Sequence, residues 1–116
     1  MTKQQKLNIE LIKLSHHNDL DGKKVADDLI SNKKLWISVY GYFINKPLIS
    51  LRDMNNYWHI DCIGILCKNE NKEQIEKLAD QWFSTSITSL NKNEMFVELG
   101  NIFDSNQYSV IEVLWD

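Results

Sequence analysis

The chain has 116 residues, 43% of them hydrophobic and 25% charged, which is the make-up of one ordinary globular domain, long enough to bury a core without disulfides or metals. One proline and four glycines argue against long linkers, and no stretch approaches the roughly 18 consecutive apolar residues of a membrane span. The net charge of −3 is uneven: residues 1–34 carry seven lysines against five acids, whereas residues 94–116 hold five acids and no Lys, Arg or His.

Residues 3–15 carry both a helical spacing (Leu7, Leu11, Leu14) and a strand-like alternation (Leu7, Ile9, Leu11), and their length and Lys/Gln-rich background favour a helix. Ser15 to Gly22 is a polar break. Asp21 is a good N-cap for a second helix reaching about Asn32, with Val25, Ala26, Leu29 and Ile30 on one face. Leu35 to Ile44 is rich in β-branched and aromatic residues and predicts a strand, with Gly41 a candidate bulge. Asn45-Lys46-Pro47 reads as a turn, Leu48 to Arg52 as a short strand, and Asp53 to Asn56 as another turn.

Tyr57 to Cys67 begins with period-2 alternation and ends apolar on both faces, the pattern of a central strand in which Gly64 leaves room for a large neighbour or a bulge. Ile75, Leu78, Ala79, Trp82 and Phe83 then form one face of a helix capped by Asn71. Thr85 to Leu90 reads as loop or weak strand, Asn91-Lys92-Asn93 as a turn, Glu94 to Phe103 as alternating acids and apolars, Asp104-Ser105-Asn106 as a hairpin turn, and Tyr108 to Trp115 as the last strand. The expectation is a single α+β domain over residues 1–116. It has a mostly antiparallel sheet of about five strands, with two N-terminal helices and one crossover helix packed on one face.

Cys62 and Cys67 lie at odd spacing on one strand, hence on opposite faces, and read as two buried free thiols. The polar start has no apolar run behind it, so no signal peptide is visible and a cytoplasmic protein is expected. Ser15-His16-His17-Asn18-Asp19-Leu20-Asp21-Gly22 resembles the metal-binding stretch of DHH-type phosphoesterases over about eight residues. The resemblance implies His17, Asp19 and Asp21 as metal ligands activating a water against a phosphodiester; the family's second motif, Asp-His-His, is absent. His59 and Asp61 could form a general-base pair on one strand face, but no nucleophile partner is identifiable. No phosphate-cradling glycine loop is present, and the Lys23-Lys24 and Lys33-Lys34 pairs are too few to make a nucleic-acid surface. The expected protein is not an enzyme and carries no cofactor.

The acid-only end is the feature most informative about partners. If Glu94 to Phe103 and Tyr108 to Trp115 are both strands, the Met95 and Ile111 sets are buried. The other sheet face then shows Glu94, Glu98 and Glu112 among Phe96, Tyr108 and Leu114. Acids around rings suit a cationic protein, with charge speeding encounter and rings anchoring it. In size, charge, low-glycine α+β make-up and Asn/Lys/Ile-rich composition the chain is similar to immunity proteins of bacterial toxin–immunity systems, including those of contact-dependent growth inhibition. That resemblance implies binding to a cognate toxin with a basic surface, such as a nuclease. The expected contact residues are Glu94, Glu98, Asp104, Tyr108 and Glu112. A homodimer formed through a sheet edge remains a third expectation beside the phosphodiesterase.

Overall fold

The computed structural model describes residues 1–44, 47–52, 54–100 and 106–116. Helix α1 (Lys3–Lys13) begins at Thr2, whose hydroxyl accepts the Gln5 N–H at 3.1 Å. The polar break after it folds into a minimal hairpin, β1 (His16–His17) and β2 (Leu20–Asp21), turned by Asn18 at φ 52°, a backbone region that asparagine tolerates better than most residues. Asp21 then caps α2 (Gly22–Ser31) by accepting the Lys24 N–H at 3.2 Å, as its position in the sequence predicts.

The main sheet contains β3 (Ser38–Tyr42), β4 (Cys62–Lys68), β5 (Ser86–Ser89) and β6 (Tyr108–Leu114) in the order β3-β4-β6-β5, every pair antiparallel. The apolar strand β4 is central, as its two dry faces require. Helix α3 (Lys72–Ala79) carries the chain from β4 towards β5, and α4 (Lys92–Leu99) links β5 to the final strand. Among the described residues no helix is long and apolar enough to cross a membrane.

One sheet face supplies the core. Ile63, Ile65 and Cys67 of β4 and Ile111 and Val113 of β6 pack with Ile9 and Ile12 of α1, Val25 and Leu29 of α2, and Ile75 and Ala79 of α3. Each fully buried aliphatic side chain here contributes about 1.5–3 kcal/mol relative to exposure. Trp82 and Trp115 close the cluster, and Trp115 donates its indole N–H to the Trp82 carbonyl at 2.9 Å. Both cysteines are buried and free, one on each face of β4.

Several expectations need correction. Glu94 to Leu99 is not a strand, since Lys92–Leu99 is α4; residues 101–103 of the expected strand lie outside the described residues. Helix α4 is started by a capping box in which Asn91 accepts the Glu94 N–H and Glu94 accepts the Asn91 N–H, both at 2.9 Å. It packs Met95 against Leu66 and Val110 on the sheet face opposite the other three helices. The main sheet therefore has four strands instead of five, and four α-helices instead of three are found among the described residues, not all on one face. Pro47–Leu51 is a 3-10 helix, not a strand. Residues 57–61 precede β4 and are not part of it; Trp58 makes a parallel bridge with Ser15, and the Tyr57 ring meets His16 of the hairpin edge-on at 6.2 Å. Gly41 keeps regular register with Ile63. It makes room instead of a bulge, since a Cβ there would sit 2.6 Å from Ile60 Cδ1.

Helix α1 is turned over relative to its leucine pattern. Leu7, Leu11 and Leu14 are exposed, while Gln5, Asn8, Ile9 and Ile12 face inward. The reason is the rim of the sheet. Val39 of β3 directs its N–H and C=O away from β4, and the Gln5 side-chain oxygen and Asn8 side-chain nitrogen take them at 2.8 and 3.0 Å. A buried edge amide left unmatched would cost about 1–3 kcal/mol, so two polar residues displace leucines from the inner face.

Candidate functional site

Away from the three-helix core, the second sheet face carries Tyr40 and Tyr42 from β3, Cys62, Gly64 and Leu66 from β4, and Val110, Glu112 and Leu114 from β6. Helix α4 packs on the Leu66–Val110 end. Beside it runs a groove of about 460 Å³, walled by Tyr40, Tyr42, Glu98 and Leu99 and floored by Gly64. An adjoining hollow of about 300 Å³ is lined by Leu90, Glu94, Val97, Glu98 and Glu112. Glu98 and Leu90 belong to both, so the two hollows share one border.

Gly64 lies beneath one ring of this wall. A Cβ at this position would stand 3.4 Å from Tyr42 Cε1, so the Tyr42 ring lies close over the glycine. Its hydroxyl thereby crosses the central strand and donates to the Glu112 carboxylate on β6. Tyr40, two residues earlier and half exposed, lies nearly parallel to Tyr42, with centroids 6.5 Å apart and planes at 15°. Burial pushes the Tyr42 hydroxyl far above its ordinary value, and its bonds to Cys62 and Glu112 push the same way. Burial likewise pushes the Cys62 thiol up to about 12, so this thiol is protonated near neutrality and is a poor nucleophile.

Three of the five expected contact residues meet here. Glu94, Glu98 and Glu112 line one hollow, although a helix and a strand bring them together instead of two strands. The salt bridges among the described residues join Lys13 to Glu10, Lys24 to Asp28 and Lys72 to Glu76, and none covers these glutamates. Tyr108 is half-buried and packs under α4 against the Leu66, Met95 and Val110 cluster, so it is not a displayed anchor. Phe96 and Val97 are the displayed apolar residues, 61% and 78% exposed on α4. Asp104 lies outside the described residues. The expected room at Gly64 for a large neighbour is taken by Tyr42; the pairing of Tyr40 with Tyr42 was not anticipated, and its sequence signal is the alternation of rings in Tyr40-Gly41-Tyr42.

The alternative metal ligands do not assemble. No group of three His, Cys, Asp or Glu side chains able to hold a metal ion occurs among the described residues, and His17, Asp19 and Asp21 therefore form none. The Asp21 carboxylate is turned to the start of α2, and the His17 ring meets Phe43 edge-on at 5.8 Å. His59 and Asp61 also have separate partners. His59 lies against Tyr57 at 4.6 Å, and the buried Asp61 carboxylate accepts the Ile44 N–H at 3.1 Å. No protein-family model, no curated protein and no solved structure matches this chain.

Proposed function

We propose that this chain is a protein-binding module that neutralises a cationic partner, in the manner of an immunity protein acting on a toxin with a basic surface in the bacterial cytoplasm. The observation that carries the reading is the convergence of Glu94, Glu98 and Glu112 on one hollow that Leu90 and exposed Val97 also line. Apolar residues ringed by acids combine two functions. The charges steer a basic surface into register, raising association rates by about 10- to 1,000-fold, and the apolar groups hold it once water is displaced. A toxin that acts on nucleic acid offers such a basic surface, and covering it denies the toxin its substrate.

The test is association of the full chain with the toxin-like domain encoded by the neighbouring gene. Stopped-flow association should slow by at least about tenfold between roughly 0.02 and 0.5 M NaCl, because screening shortens the reach of exposed charges. A Glu94→Gln/Glu98→Gln/Glu112→Gln variant should lose most of that salt dependence and should no longer protect cells expressing the domain. Salt-insensitive association, or full protection by the triple variant, overturns the proposal.

A further inference from the structure

The groove floored by Gly64 has a chemistry more specific than negative charge. We infer that it receives a single arginine side chain from the basic partner, with the guanidinium laid on the open face of Tyr40 and paired with the Glu98 carboxylate. This rests on the partner-binding reading above and names the group that the partner inserts. Three features lead to it. Two tyrosine rings stand nearly parallel on one wall, with Tyr40 half exposed, so a flat cation finds a flat surface. Glu98 borders the same groove as both rings, and Glu112 on the same sheet face is bonded to Tyr42. The Tyr42 hydroxyl is already bonded to Glu112, which fixes that ring before any ligand arrives and lowers the ordering cost of binding.

Arginine suits this geometry better than lysine. Its planar guanidinium stacks on an aromatic face while presenting paired N–H donors to a carboxylate, and it sheds water more readily than a compact ammonium. The absence of a side chain at Gly64 lets the Tyr42 ring lie down on the central strand, where it forms part of the groove wall.

The experiment titrates the full-length chain with three capped tripeptides, Gly-Arg-Gly, Gly-Lys-Gly and the uncharged isostere Gly-citrulline-Gly, and follows amide chemical shifts. The arginine peptide should move the Gly64, Tyr40 and Glu98 resonances saturably. The lysine peptide should bind at least about threefold more weakly, and the citrulline peptide should give no saturable shift. Tyr40→Ala and Glu98→Gln should each weaken the arginine peptide by at least about fivefold. Both residues are exposed, so unchanged dispersion elsewhere in the spectrum reports an intact fold. Equal binding of the citrulline peptide, shifts centred away from the groove, or indifference to both variants overturns the inference. The two proposals fail separately. If the neighbouring toxin domain binds with an affinity that Tyr40→Ala leaves unchanged, the arginine inference falls and the broader reading stands. If the arginine peptide seats in the groove while the toxin domain does not bind, the broader reading falls.

Discussion

Replacing Gly22 with alanine should destabilise the protein, although Gly22 begins a helix and alanine is the better helix former. Propensity alone predicts a gain of up to about 1 kcal/mol. The packing predicts a loss. A Cβ at Gly22 would lie 2.1 Å from the Ile12 carbonyl oxygen and 2.5 Å from both the carbonyl and hydroxyl oxygens of Ser15. A carbon normally approaches a carbonyl oxygen no closer than about 3.3 Å, so the start of α2 would have to retreat from the end of α1 by roughly 1 Å. Two of the three obstructing atoms are backbone, and no rotamer change relieves them. The retreat would also stretch the Gly22 N–H bond to the Ser15 carbonyl, already 3.2 Å long. Overpacking costs about 1–3 kcal/mol and the weakened bond about 1 kcal/mol more, for a net loss of about 1–3 kcal/mol after the full propensity gain. That is a large share of the 5–15 kcal/mol typical of a domain. Urea unfolding followed by tryptophan fluorescence would report it through the buried Trp36, Trp82 and Trp115. The midpoint should fall by about 0.5–2 M. An unchanged or raised midpoint refutes the argument and returns the decision to propensity.

Removing the cap of α4 with Asn91→Ala should cost about 1 kcal/mol. Amide exchange should quicken in Lys92–Leu99 more than in β4, because the lost bond is the one the Glu94 N–H of that helix donates to the Asn91 side chain. Exchange that quickens uniformly would show that α4 does not open independently. Alkali should destabilise the protein through its two buried thiols. Burial raises the Cys62 thiol to about 12 and the Cys67 thiol to about 11, from an ordinary 9.0. Their contribution is complete below pH 9 and is lost as the pH rises towards those folded values, because the unfolded thiols release their protons first. At pH 10 the two should together remove about 2–3 kcal/mol, and a Cys62→Ala/Cys67→Ala variant should show a flatter decline between pH 8 and 10. An equally steep decline in the variant would assign the effect to other groups.

The elements legible in the sequence were those whose pattern had a single physical solution. Ile63, Ile65, Cys67 and Leu66 could be dry on both sides only in a central strand, and Asp21 before a clean 3.6-residue stripe could only cap a helix. The segment after β5 had two. Glu94, Phe96 and Glu98 alternate with Met95, Val97 and Leu99, which fits a strand. Yet Asn91 and Glu94 are spaced as a capping box, and that local bonding prevailed because each group satisfies the other's free amide. Helicity was obscured because α4 buries Met95 but leaves Phe96 and Val97 outside, so its apolar residues trace no stripe. The inversion of α1 was invisible for a different reason. Which face turns inward depends on the unpaired amide of Val39, some thirty residues away, and no local window contains it. The gathering of three glutamates survived the wrong secondary structure because residues four apart on one helix turn, Glu94 and Glu98, share a side just as they would on a strand.

The amide contacts from Gln5 and Asn8 have a consequence for assembly. They occupy the outward backbone groups of β3 at Val39, whereas beyond β5 the described residues place no further strand. A strand added to β3 would have to displace the Gln5 and Asn8 side chains at Val39, so among the described residues β5 is the margin more open to addition, and two copies meeting β5 to β5 would use it up in both.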